Sequence, residues 1–108
     1  MKRNATVFLV LAAVPFVAAG QSNPLNAQQL EGMRHFNQSC RVCHVKPQLA
    51  SPQYAPVLSS VSLGGQAEAM KVFVANGTPK MPGFRYHFKP AEIDAIVAYL
   101  KTVPQPSD

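Results

Sequence analysis

The clearest pattern of apolar and polar positions lies near the C-terminus of the chain. Apolar residues recur there with the i, i+3, i+4, i+7 spacing of one helix face, at Ile93, Ile96, Val97 and Leu100. Charged residues take other positions, at Glu92, Asp94 and Lys101. Pro90 suits the first turn of a helix, and Phe88 is placed to staple onto Ile93. The pattern predicts an amphipathic helix from about Pro90, although Lys89 is a poor N-cap.

A second helical pattern begins after Asn26, which is a good N-cap residue with Gln29 three positions later, as in a capping box. Further residues recur at three- and four-residue steps and therefore share one face: Gly32, Phe36, Cys40 and Cys43. His35 falls on a different face, and its side chain is predicted to be exposed.

A third, shorter helix is predicted from Gly65 to Ala75. Its apolar stripe consists of Ala67, Met70 and Val74. Gly77 can adopt the left-handed backbone conformation that ends many helices, and the prolines that follow prevent the helix from continuing.

The segment between Pro47 and Leu63 contains three prolines and several serines, which is typical of an irregular loop. The chain shows no strand-like alternation and no internal repeat. The predicted fold class is all-α, with at least three helices.

The N-terminal twenty residues have the pattern of a secretory signal peptide. Lys2 and Arg3 precede an apolar run that is too short to span a bilayer and ends in small residues. The expected organisation is a signal peptide at 1–20 and one domain at 21–108, exported to the periplasm or beyond, with no stable membrane insertion. Removal of the signal lowers the net charge from +5 to +3. The remaining basic residues are scattered, which argues against nucleic-acid binding.

Cys40 and Cys43 are the only cysteines, and His44 follows the second. A thioredoxin-like redox motif would need a βαβ setting that this chain lacks. A structural zinc site would need two further ligands, and His44 is poorly placed beside Cys43 to supply one. A local disulfide explains the cysteines but leaves His44 without a role.

Haem attachment explains every residue of the Cys-x-x-Cys-His motif. Two thiols one helical turn apart are suited to the two vinyl groups, and the adjacent histidine reaches the iron. Haem would also add apolar volume to the core of a 108-residue chain, next to Phe36, Met70 and Leu100. Without it we expect the chain to be largely unfolded.

With these residues in place, the chain resembles the small, single-haem class I c-type cytochromes, particularly the compact bacterial type. Gly32 and Phe36 match the first-helix pattern of that family, and Tyr99 and Leu100 match the C-terminal helix that crosses it. The resemblance implies a compact cytochrome c fold around one covalently attached haem c.

The resemblance also implies the ligands of the iron. His44 would be one ligand, with the carbonyl of Pro56 in the "APVL" stretch accepting a hydrogen bond from its ring. Pro47 and Pro52 are alternative acceptors, but the spacing from His44 favours Pro56. Met81, in the loop "NGTPKMPGF", would be the other ligand. Met70 is interpreted as core, and His87 as a surface or propionate-contacting residue. Tyr54, Arg85 and Tyr86 are further candidates for contacts with the propionates.

Ligation by His44 and Met81 leaves no iron position for a substrate, so the predicted function is electron transfer and not catalysis. The partners would be an exported dehydrogenase and an oxidase or another cytochrome. Lys46, Lys80 and Arg85 either form part of a basic rim that would steer an acidic partner or are ordinary solvated charges. The alternatives are a haem-based sensor with a displaceable Met81 and a permanent cytochrome subunit of a quinoprotein dehydrogenase.

Overall fold

The structure, a computed structural model, describes residues 24–46 and 52–107. In chain order its elements are α1 (Ala27–Ser39), α2 (Arg41–His44), a 3-10 segment (Ser62–Gly65), α3 (Ala67–Asn76) and α4 (Pro90–Leu100). Within these ranges the only strand-like feature is an isolated antiparallel bridge between Thr78 and Met81. The all-α prediction is therefore confirmed. The predicted signal peptide, residues 1–20, lies outside the described residues, and so does Pro47.

Helix α1 begins as its sequence predicts. The Asn26 side chain accepts a hydrogen bond from the Gln29 backbone N–H at 2.9 Å, and the Gln29 side chain accepts one from the Asn26 N–H at 3.0 Å. This reciprocal box satisfies backbone donors that the helix itself leaves unpaired. The helix therefore has a defined start, about four turns before the cysteine pair.

The most extensive helix packing in the described chain joins α1 to α4. Gly32 lies against the backbone of α4, so close that a Cβ built on it would overlap the carbonyl of Ala95 and lie 2.8 Å from the Ile96 nitrogen. One turn later, the rings of Phe36 and Tyr99 are 5.6 Å apart. A residue without a side chain is thus required where the helices cross, as the family resemblance implies.

Helix α3 begins two residues later than predicted. Leu63, Gly64 and Gly65 all have positive φ, at 51°, 66° and 73°. This left-handed run cannot continue into a right-handed helix, so α3 starts only after Gln66. At its other end Gly77 has φ 71°, which is the left-handed stop that the sequence indicates.

Helix α4 has no side-chain cap from Lys89, as expected. Instead the Glu92 carboxylate accepts a hydrogen bond from the Lys89 backbone N–H at 2.6 Å. Phe88 and Ile93 are both buried beside this turn. The start of α4 is thus fixed by Glu92 and by the apolar pair.

One hydrophobic cluster joins α1, α3 and α4. Its buried members are Phe36, Cys40, Met70, Val74, Phe88, Ile93, Ile96, Val97 and Leu100. Ion pairs at 2.9 Å from Lys71 of α3 to Glu68 and to Asp94 of α4 close one side of this cluster. No helix in the described ranges is long and apolar enough to cross a membrane.

The prediction that the His35 side chain is exposed is wrong. Only 19% of that side chain is accessible, and its Nε2 atom is buried. The ring stacks edge-on against Phe88 with centroids 5.0 Å apart. The helical face of His35 is covered because the residues before α4 cross it, which the α1 pattern alone does not reveal.

Candidate functional site

The cysteine pair lies where α1 gives way to the single turn of α2. Cys40 ends the first helix, with its backbone N–H donating to the Phe36 carbonyl at 2.9 Å. The Cys40 carbonyl then accepts hydrogen bonds from the N–H groups of Cys43 at 3.1 Å and His44 at 3.0 Å. This turn holds both cysteines and the histidine together, and both thiols are free.

The two thiols lie in different environments. Cys40 is buried in the hydrophobic cluster, whereas Cys43 is half-buried. Burial, followed by repulsion from a Cys43 thiolate, raises the pKa of the Cys40 thiol to about 11. In the folded chain Cys40 is therefore a neutral thiol and a poor nucleophile.

His44 is oriented by a loop that is distant from it along the chain. Its Nδ1 atom lies 2.8 Å from the main-chain oxygen of Pro56. Because a carbonyl oxygen can only accept, Nδ1 carries the proton and donates it. In the neutral ring the Nε2 lone pair is then free to bind a metal, and the hydrogen bond makes it a stronger donor.

Met81 lies in a tight turn after α3. The Thr78 N–H donates to the Met81 carbonyl at 2.8 Å, and the Met81 N–H donates to the Thr78 carbonyl at 3.1 Å. The turn folds back on Gly77, where any Cβ would collide with the carbonyl of Met81. The backbone of Met81 is thus fixed on both sides, and its side chain is half-buried.

A hydrogen bond connects the loops that carry Pro56 and Met81. The Tyr54 hydroxyl donates to the Lys80 carbonyl at 3.2 Å. Tyr54 precedes Pro56 by two residues, and Lys80 directly precedes Met81. The sequence suggests Tyr54 as a propionate contact, which stays a prediction; no local pattern indicates its hydroxyl bond to Lys80.

The residues that the sequence suggests as core or as propionate contacts are arranged differently. Met70 is 3% exposed and belongs to the hydrophobic cluster, in agreement with its interpretation as core. His87 is exposed, with its ring against Phe88 at a centroid distance of 4.5 Å. Tyr86 is 91% exposed, and the Arg85 guanidinium lies 5.2 Å from its ring centre.

The side chains of this site match the chemistry of haem c. Two free thiols lie on one turn, an imidazole has its Nδ1 already occupied, and a thioether is held on a fixed loop. Thiols form the covalent links, while imidazole and thioether are suitable ligands for low-spin haem iron.

Comparison with known proteins agrees with this chemistry. Residues 27–100 match the family described as Cytochrome C oxidase, cbb3-type, subunit III. The chain is also 30% identical over 95 residues to cytochrome c6 of Nostoc sp. (strain PCC 7120), which covers 85% of this chain and 86% of the relative.

The chain is a small class I c-type cytochrome. A solved mutant of Kustc0563 is similar to this cytochrome, with a TM-score of 0.50 and 25% identity, over 67% of this chain and 96% of the other. Cytochrome c6 from the diatom Phaeodactylum tricornutum has the same fold, with a TM-score of 0.54 and 22% identity, over 68% of this chain and 90% of the other.

Membership of this family establishes the cofactor of the cytochrome as covalently attached haem c with its iron. The protein is therefore a haem-based electron-transfer protein. The Cys-x-x-Cys-His motif and the loops of Pro56 and Met81 contain the residues that are candidates for haem attachment and iron ligation.

Proposed function

We propose that this cytochrome is a periplasmic carrier of one electron, with haem c bound through Cys40 and Cys43 and its iron ligated by His44 and Met81. The observation that carries the proposal is the hydrogen bond from His44 Nδ1 to the Pro56 carbonyl. It fixes the ring tautomer in which Nε2 is free for a metal. A surface histidine would have no need of this arrangement.

The cysteines supply the covalent links. Each thiol would add its sulfur and its hydrogen across one vinyl double bond, which gives a thioether with no gain or loss of electrons. Because Cys40 is buried in the hydrophobic cluster and Cys43 is half-buried, these links would hold the haem against that cluster.

The two iron ligands explain why the protein would transfer electrons without performing catalysis. His44 is held by the Pro56 carbonyl, and Met81 by its paired hydrogen bonds with Thr78. With both ligands bound, no iron position is open to a substrate. A thioether also raises the reduction potential relative to a second histidine.

The partners would be an exported dehydrogenase as donor and an oxidase or another cytochrome as acceptor. Lys46, Lys80 and Arg85 are all exposed, and they lie beside the motif or in the loops around Met81. Such charges increase the rate of encounter with an acidic partner, and the effect decreases with salt.

Optical spectra of the oxidised and reduced holoprotein test the ligand assignment. We expect low-spin bands, a methionine-to-ferric-iron charge-transfer band, and no carbon monoxide binding to the reduced protein. In Met81→Leu the charge-transfer band should disappear and carbon monoxide should bind, because leucine has no donor atom.

Met70→Leu is the matched control for this substitution. Met70 is buried in the hydrophobic cluster, so its replacement should keep both the charge-transfer band and the indifference to carbon monoxide. Prompt carbon monoxide binding by the unaltered protein would overturn the carrier proposal and favour a ligand-binding sensor.

The hydrogen bond between Tyr54 and Lys80 leads to a prediction with a smaller expected effect. Tyr54→Phe removes the link between the loops of Pro56 and Met81, so imidazole added to the ferric protein should displace Met81 more readily. Since one exposed hydrogen bond contributes about 0.5–1 kcal/mol, the affinity for imidazole should rise about two- to fivefold. A titration followed by the charge-transfer band measures this change.

Tyr86→Phe is the control for that experiment. Tyr86 is 91% exposed, and its loss of a hydroxyl should leave imidazole affinity unchanged. Equal affinities in Tyr54→Phe and the unaltered protein would show that the link does not restrain Met81.

A further inference from the structure

A second group of ligand-type side chains lies where the first turns of α4 meet α1. It consists of Glu31, His35 and Glu92, none of which belongs to the proposed haem site. One potential ligand atom from each residue lies within 4.8 Å of the others. In the described part of the chain, no other group of histidine, cysteine, aspartate and glutamate side chains is arranged in this way.

His35 is the central member of this group. Its Nε2 atom is 3.8 Å from Glu31 Oε1 and 3.8 Å from Glu92 Oε1. Both distances are too long for a hydrogen bond. The Nε2 atom is inaccessible to solvent and has no hydrogen-bond partner. A buried polar atom without a partner is costly, so the location of Nε2 near two carboxylates requires an explanation.

The position of each carboxylate is set by the fold. Glu31 and His35 are four residues apart on α1 and therefore lie on the same face. Glu92 uses Oε2 to accept the Lys89 N–H, which leaves Oε1 on the side of His35. The His35 ring is held against Phe88. The three ligand atoms are thus brought together by local restraints from two helices.

We propose that Glu31, His35 and Glu92 form a binding site for a divalent cation of the zinc class. One imidazole nitrogen and two carboxylate oxygens are ligands that Zn²⁺ accepts, at about 2.0–2.2 Å. Two ligands of one tetrahedral ion are then about 3.4 Å apart. The two 3.8 Å distances from His35 Nε2 need only a small contraction, and the two carboxylate oxygens, which lie within 4.8 Å of each other, would move closer together around the ion. The two carboxylates balance the charge of the ion.

Glu31 is 51% exposed, so solvent reaches the group from that side and a water can complete the coordination. The bound ion would join α1 to α4 close to the crossing at Gly32. The proposal does not depend on electron transfer, since its ligands come from outside the Cys40 to His44 motif and the Met81 loop.

The test is a titration of the complete holoprotein with Zn²⁺ at neutral pH, in competition with a chromophoric chelator. We expect one saturable equivalent. Glu92→Gln, which retains an oxygen acceptor for the Lys89 N–H, should weaken Zn²⁺ binding about tenfold or more. His35→Asn should weaken it at least as much, and both variants should keep the haem spectrum of the unaltered protein.

His87→Asn is the matched control, because His87 is an exposed imidazole near the same end of α4. Its Zn²⁺ affinity should equal that of the unaltered protein. A loss of binding in His87→Asn would overturn the proposal, because the ion would then lie elsewhere. Full binding in Glu92→Gln would also overturn it, because the ion would then be held by α1 alone. Absence of a saturable equivalent would overturn it as well.

Thermal unfolding provides an independent measurement. Zn²⁺ should raise the melting temperature of the unaltered holoprotein and of His87→Asn, since a ligand of the native state stabilises it. It should not do so in Glu92→Gln, which lacks the ligand from α4. Equal stabilisation in Glu92→Gln would also contradict an ion that joins the two helices.

Discussion

Gly32→Ala should destabilise the holoprotein by about 3 kcal/mol or more, because the added methyl group meets backbone and not a movable side chain. A Cβ at this position would overlap the Ala95 carbonyl, and the Ile96 nitrogen would be only 2.8 Å away. The helices would have to separate, which disturbs the packing of Phe36 on Tyr99. Urea unfolding followed by far-ultraviolet circular dichroism measures the change.

The sign of this stability change shows whether Gly32 lies at a close contact between helices or on an open helix face. In a helix without a close neighbour, alanine in place of glycine is favourable by about 0.5–1 kcal/mol. Gln38→Ala, at an exposed position of the same helix, should change the stability by less than about 0.5 kcal/mol. A Gly32→Ala protein as stable as the original would show that α1 and α4 do not approach as closely as described.

Simultaneous replacement of Cys40 and Cys43 by serine should remove the covalent haem and most of the helical structure. Among the described residues the hydrophobic cluster has nine buried members, a small core for a chain of this length. We therefore expect the double variant to lose most of its far-ultraviolet helical signal and its cooperative thermal transition.

Val42→Ser provides the control, because Val42 lies between the two cysteines and is 86% exposed. That variant should retain covalent haem by mass spectrometry and the helical signal of the original. A haem-free double variant with a full helical signal and a cooperative transition would contradict the expected dependence of folding on haem.

Local sequence determines much of this fold. The periodic apolar positions define α3 and α4, and the reciprocal bonds of Asn26 and Gln29 define the start of α1. These features are readable because they involve residues three or four positions apart, whose geometry is the same in every helix. Gly32 could be interpreted as a crossing point only with the help of the family resemblance.

Contacts between segments that are distant along the chain are harder to predict from the sequence. The covering of His35 by Phe88 and its approach to Glu92 depend on how α4 crosses α1, and no pattern within either helix encodes that position. The link from Tyr54 to Lys80 depends in the same way on the paths of two loops. The delayed start of α3 results from the left-handed run at residues 63–65, which includes Leu63, a residue type that rarely adopts this conformation.

The acceptor for His44 is a main-chain oxygen, which has a consequence for how this site can evolve. Every amino acid at position 56 retains that oxygen, so no exchange of a side chain can delete the acceptor. Point substitutions at position 56 therefore leave the hydrogen-bond acceptor of His44 in place. Insertions and deletions between positions 44 and 56, which move the chain itself, are instead the changes that would reorient the His44 ring, the proposed iron ligand.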